Sequence, residues 1–196
     1  MINLDESRFD DILGKTIIAR GFEDAFMNVV FPFLEKIGVL WQTGAINPGQ
    51  EHFAANLIRQ KIIASIDAQY PAKRKSSKRF LLFLPEGELH EVGLLFMAFL
   101  IKKQGHELMY LGQSNPLESV VATNRIWPAD IFVIYLVSSM PGIDPDAYAK
   151  KVHQVLPGKT ILFTGQLAKD IPVHSYENAQ YLPGFDAFVK YLDELI

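Results

Sequence analysis

The stretch Phe80-Leu81-Leu82-Phe83-Leu84-Pro85-Glu86-Gly87-Glu88-Leu89-His90-Glu91-Val92-Gly93, FLLFLPEGELHEVG, decides the fold. Five large apolar residues stand in a row without polar alternation, as in a strand buried on both faces of a parallel sheet. A proline, a glycine and charged residues break the run, and an apolar helical pattern follows. The same change of period recurs downstream. Apolar runs at Glu107–Leu111, Ile131–Val137, Thr160–Phe163 and, more weakly, Ala179–Leu182 alternate with helical segments at 91–104, 116–126, 145–155 and 184–195. This alternation predicts an α/β, flavodoxin- or Rossmann-like doubly wound parallel sheet.

Upstream of Phe80 the period is helical throughout. Asp5 is placed to cap a helix carrying Phe9, Leu13 and Ile17, and Arg20-Gly21 reads as its end. Phe26, Val30, Phe33, Ile37 and Leu40 form an amphipathic stripe in which Pro32 is expected to kink or divide the helix. Gln42 to Gln50 reads as a loop, and Ala54, Ile58, Ile62 and Ile66 as one face of a further helix. The expected organisation is a helical bundle over 1–70, a basic linker over 71–79 (PAKRKSSKR) and an α/β domain over 80–196.

Composition bounds the chemistry. The 196 residues carry a formal net charge of −3, too near neutral for the chain itself to bind nucleic acid non-specifically. There is no cysteine, which removes disulfides, zinc–thiolate sites and thiol nucleophiles. The polar, acidic N-terminus is unlike a signal peptide, and no apolar stretch approaches a membrane span, so a cytoplasmic location is expected. No P-loop, dinucleotide-binding glycine motif or Ser-His-Asp order is present.

In open α/β sheets ligands bind outside the carboxyl ends of the strands. The loops expected there are PEGELHEVG, Gly112 to Pro116, Ser138 to Gly142 and Thr164 to Gln166, and His90 is their one histidine. An imidazole can ligate a transition metal, and its second nitrogen then usually meets a carboxylate. Glu88, two residues earlier in an extended loop, points the same way. The alternative is a histidine at a helix start, with Glu88 and Glu91 favouring the positive dipole end. In the helical half, Trp41 ends one helix and Glu51-His52 opens the next. Glu51 shares the register of Ala54, Ile58 and Ile62 with no lysine or arginine at i±3 or i±4, so an unpaired carboxylate toward the apolar face is expected, marking a pocket. The alternative makes Trp41 core, Glu51 a first-turn acid and His52 surface.

Taken together these residues resemble the cobalamin-binding domain family: Glu88-x-His90-x-x-Gly93, then Ser138-Ser139-Met140, then Gly165, with Glu where Asp is commoner and Gly165-Gln166 where Gly-Gly is usual. The spacing from Trp41 to Glu51-His52 is similar to the sensor half of MerR-type, CarH-like regulators. The resemblance implies a helical cap over the upper face of a corrin, with His90 as the lower cobalt ligand in place of dimethylbenzimidazole. It also implies a nucleotide tail running toward Ser138 and Gly165, and Trp41, Glu51 and His52 around the upper ligand. Adenosylcobalamin is the implied cofactor, with methylcobalamin as the other form. The implied behaviour is a light-responsive change of homo-oligomer and of DNA binding, the latter through a helix-turn-helix not expected in this chain. Light-responsive members carry histidine after the tryptophan; here it is Gln42. The alternative is a corrinoid carrier of a methyltransferase or mutase system, although a mutase barrel of ~250 residues does not fit this length.

Overall fold

The computed structural model describes residues 3–70, 76–138 and 144–195. The chain divides into two compact units, Met1–Ala64 and Ser65–Ile196.

The first unit is helical. Asp5 caps α1 (Glu6–Arg20) by accepting the Arg8 amide at 2.9 Å, and Gly21 closes the helix with its amide on the Ile17 carbonyl. Helix α2 (Phe22–Ala25) runs through one π turn (Phe26–Val30) directly into α3 (Phe31–Gln42). Pro32 therefore neither divides the helix nor ends it. A proline ring collides with the carbonyl four residues back and donates no hydrogen bond. The wider turn just before it, in which the Phe31 amide reaches the Phe26 carbonyl, absorbs that conflict. The loop expected to last until Gln50 ends sooner. Pro48 takes the first position of α4 (Pro48–Asp67), and Asn47 and Gln50 cap each other's amides at 2.9 and 3.0 Å. Phe26, Ile58 and Ile62 are fully buried in this unit, and Lys61 pairs with Asp10 at 2.9 Å.

The second unit is a five-stranded parallel sheet in the order β2-β1-β3-β4-β5. Its elements are β1 (Arg79–Pro85), α5 (Val92–Lys103), β2 (Glu107–Asn115), α6 (Leu117–Ile126), β3 (Ile131–Tyr135), α7 (Pro145–Val155), β4 (Thr160–Thr164), β5 (Ala179–Leu182) and α8 (Phe185–Glu194). Residues 71–75 of the expected linker lie outside the described residues, and Arg79, read as its last residue, already pairs in β1. Leu81, Phe83, Phe132, Ile134, Ile161 and Phe163 pack with α6 and α7. Strand alternation therefore turns Leu82, Val133, Tyr135, Leu162 and Thr164 to the other face. There α5 and α8 meet, with Phe96 edge-on to Phe185 at 5.1 Å. Two covered faces explain the unbroken apolar runs.

Two strand ends depart from expectation. β2 continues to Asn115 because a bulge lets it: Tyr110 opposes Leu82, yet Gly112, at φ 77°, opposes Phe83. β3 stops at Tyr135 rather than Val137, since the amides of Val137 and Ser138 turn to the Glu88 carboxylate instead of a neighbouring strand.

Strand β1 neighbours both β2 and β3, so chain order reverses between β1 and β3, and their carboxyl ends bound the switch-point crevice. Gly165, at φ 93°, lies so close to Leu136 that a Cβ there would collide with the Leu136 backbone. Gly165→Ala is expected to destabilise the chain by about 2–4 kcal/mol in urea unfolding. Gly158→Ala, at φ 69° with open space around it, is expected to cost only about 1 kcal/mol; equal losses would show that packing at Gly165 is not what requires glycine.

Candidate functional site at the switch point

The loop after β1 is a fixed framework. Gly87 makes the turn at φ 85°, letting the Glu88 amide return to the Pro85 carbonyl at 3.0 Å. Three bonds hold the loop to the bulged end of β2: Gly87 amide to Ser114 Oγ at 3.1 Å, Ser114 amide to the Glu88 carbonyl at 3.1 Å, and Gln113 Nε2 to the Leu89 carbonyl at 2.8 Å.

Within this frame the Glu88 side chain is fully buried. Its Oε1 accepts from the Leu89 amide at 2.9 Å, the His90 amide at 3.0 Å and His90 Nδ1 at 2.7 Å. Its Oε2 accepts from the Val137 amide at 3.1 Å, the Ser138 amide at 2.7 Å and the Ser138 hydroxyl at 3.0 Å. Burial pushes this carboxyl up, but the donors from His90 and Ser138 outweigh it and hold the group at about 2. Glu88 is therefore ionised at neutral pH and bridges the two strands that flank the crevice.

An ionised carboxylate only accepts, so the proton of the His90–Glu88 bond belongs to Nδ1. In the neutral ring the lone pair then lies on Nε2, the arrangement found where imidazole ligates a metal and a carboxylate fixes its tautomer. The His90 side chain is 65% exposed while its partner is wholly buried. The donor chemistry thus fits a metal complex lying on the rim.

The other residues read from the sequence fall as follows. Ser138 reaches the rim with both its amide and its hydroxyl on Glu88. Ser139 lies outside the described residues. Gly112 sits at the β2 bulge, 3.7 Å (measured from an added Cβ) from Glu91 Oε2, which itself accepts the Tyr110 hydroxyl at 2.8 Å. Gly93 is buried beneath the ring of Tyr135: an added Cβ would lie 2.5 Å from the Tyr135 hydroxyl oxygen. The space above Gly93 is filled by that ring. Sequence reading missed Tyr135, whose one signal is a polar tip at the end of the apolar run IFVIY. Burial, and then the Glu88 charge, push its hydroxyl up to about 12.

In the helical unit Trp41 lies in the last turn of α3, half exposed, followed by Gln42. Glu51 does not stand unpaired toward the apolar face. It is partly exposed, and its Oε2 lies 2.6 Å from Nδ1 of the adjacent His52, a partner that a search for lysine or arginine one turn away overlooks.

Residues 1–64 match the family model described as B12 binding domain. The chain is 26% identical over 164 residues to the HTH-type transcriptional repressor CarH of Myxococcus xanthus, a match covering 84% of this chain and 54% of that protein. It is 34% identical over 87 residues to the repressor CarA of the same organism, covering 44% of this chain and 28% of CarA. The chain thus spans about half the length of CarH. Among solved structures, the monomethylamine corrinoid protein of Methanosarcina barkeri aligns with a TM-score of 0.78 at 13% identity, covering 98% of this chain and 93% of that one. The methanol:cobalamin methyltransferase complex MtaBC of the same organism aligns at 0.53 and 17% identity, covering 99% and 75%; both likenesses speak to the fold. No helix among the described residues is long and apolar enough to cross a membrane. Residues 1–64 thus match the B12 binding domain model, the chain is similar in sequence to two HTH-type transcriptional repressors, and its fold is like that of the monomethylamine corrinoid protein.

Proposed function

We propose that this chain is the cobalamin-binding sensor module of a transcriptional regulator, with His90 Nε2 as the protein ligand to cobalt. The observation that carries the reading is the buried, ionised Glu88 holding His90 Nδ1 at the switch point of the sheet. Among the described residues there is no group of three or more His, Asp or Glu side chains that could hold a metal ion. A single exposed imidazole suits a metal that arrives with its equatorial ligands already in place, as cobalt does in a corrin. When bound, cobalamin supplies a cobalt centre with an exchangeable upper ligand. Glu88 keeps the proton on Nδ1 and fixes the ring; the ordered loop fixes Glu88. Trp41, Glu51 and His52 are the helical unit's candidates for contact with the upper ligand, for which adenosylcobalamin is the proposed form and methylcobalamin the other.

Similarity to two HTH-type repressors favours the sensor over a corrinoid carrier, because likeness to the carriers extends to fold alone. DNA binding then belongs to a helix-turn-helix outside these residues, and the response is a change of homo-oligomer. Gln42 offers cobalt an amide, a poor ligand beside imidazole, so any response to light proceeds without a lasting second protein ligand from that position.

Hydroxocobalamin added to the purified chain is expected to give an imidazole-ligated visible spectrum that His90→Ala abolishes; an unchanged spectrum in that variant would remove His90 as the ligand. Adenosylcobalamin is expected to change the elution volume on gel filtration. Methyl transfer from a methylated donor through a partner protein, with no such change, would favour the carrier. Glu88→Gln is expected to weaken cobalamin binding about 10–100-fold, read by spectral titration. The same residue sets an acid limit. Its folded value of about 2 lies below the ordinary 4.5, so its contribution to stability is complete above pH 4.5 and is lost as pH falls toward 2. The stability gap between wild type and Glu88→Gln should narrow across that window in urea unfolding; a constant gap would mean that Glu88 is not charged in the fold.

A further inference from the structure

The loop that carries His90 holds a second buried carboxylate. Glu91, the residue that opens α5, is 4% exposed and makes no side-chain cap to the helix. A glutamate at the surface would meet the helix dipole as well, without the cost of leaving water. What burial adds is a bond across to β2: Glu91 Oε2 accepts the Tyr110 hydroxyl at 2.8 Å. Tyr110 is the last residue of β2 in register with β1 before the bulge. Gly112 leaves the pair room, since an added Cβ there would stand 3.4 Å from the Tyr110 ring and 3.7 Å from Glu91 Oε2. The same strand holds Gly87 through Ser114 Oγ, Glu88 through the Ser114 amide and Leu89 through Gln113 Nε2. Those three bonds lie before His90 in the chain and the Glu91 bond lies after it, so β2 grips the histidine's backbone from both sides.

We infer that Glu91 and Tyr110 are positioning residues for the cobalt ligand: their hydrogen bond pins the start of α5 to β2 and so sets where His90 presents Nε2 at the rim. The inference rests on the cobalamin reading. Glu88 and this pair divide the task. Glu88 decides which imidazole nitrogen keeps its lone pair and how the ring is turned. Glu91 and Tyr110 hold the backbone from which the ring hangs. A ligand site works when its donor is held to within about 0.5 Å by groups that are themselves fixed. An exposed imidazole on a tied backbone also has less freedom to lose on binding than one on a loose loop.

The full chain is titrated with hydroxocobalamin, and the visible spectrum at saturation reports the fraction of cobalt bound to imidazole. Tyr110→Phe keeps the ring and removes the hydroxyl. It is expected to weaken binding about tenfold and to lower the imidazole-ligated fraction, with weaker nitrogen splitting in the EPR spectrum of the reduced, cobalt(II) form. Glu91→Ala should match it, whereas Glu91→Gln, which keeps an acceptor for the hydroxyl, should bind within about twofold of wild type. In a His90→Ala background Tyr110→Phe is expected to change nothing further, because the pair acts through the imidazole. If Glu91→Ala does not fold, Tyr110→Phe and Glu91→Gln carry the test; if His90→Ala binds too weakly to titrate, the spectra and the glutamine rescue decide it. Tyr110→Phe equal to wild type in affinity and spectrum would overturn the inference. So would Glu91→Gln binding as poorly as Tyr110→Phe, or an equal loss with and without His90, which would mean that the pair supports the fold at large. Wild type binding no hydroxocobalamin would overturn the cobalamin reading and the pair's role with it; an imidazole-ligated wild type that Tyr110→Phe leaves unaltered would overturn the pair alone.

Discussion

The buried Glu88 carboxylate is the interaction on which the site depends. It sits in the gap between β1 and β3, where chain order reverses and no strand ladder can extend the sheet's own hydrogen bonding across the rim. Six donors from two segments, Leu89–His90 and Val137–Ser138, converge on its two oxygens. Without the charge those donors would be orphaned in a dry place; without the donors the charge would be expelled. The group therefore acts as a replacement for the missing ladder, ending β3 two residues early and setting where β1's loop turns. The same contact decides which imidazole nitrogen carries a proton, so one carboxylate settles architecture and ligand chemistry together.

The sequence made the sheet legible because the covering helices leave no polar alternation to confuse the period. All five strands, and the helices between them, fall within a few residues of their reading. The errors are local. The ends of β2 and β3 were misjudged because a bulge and a carboxylate, both set by partners distant in sequence, decide them. Pro32 was read as a kink or a division of the helix; the structure keeps the helix undivided through a π turn, which cannot be inferred from residue type. Glu51 was read as unpaired because its partner is the residue beside it rather than one helical turn away.

The site was legible where short spacing carries it. Glu88 and His90 are two residues apart, and their contact follows from local geometry. Ser138 was recognised by position, yet its bond to Glu88 spans fifty residues and emerges only with strand order. Tyr135 was read inside the run Ile131–Val137 and Thr164 at the head of the loop Thr164 to Gln166; only register places them side by side. The rim is where this chain gathers its buried charge, its exposed imidazole and the unmatched hydroxyl of Thr164.

The sharing of one acceptor has a mechanical consequence. His90 Nδ1 and the amides of Val137 and Ser138 hang from opposite oxygens of a single rigid, planar group. Hydrogen bonds of this length weaken steeply when stretched by an ångström. A pull on the ring therefore cannot stay local: it tilts the carboxylate and is felt at the far strand in a single step, with no intervening side chain to dissipate the motion. The rim behaves as a balance beam, its fulcrum the Glu88 carboxyl carbon, with the imidazole on one arm and the tip of the neighbouring strand on the other.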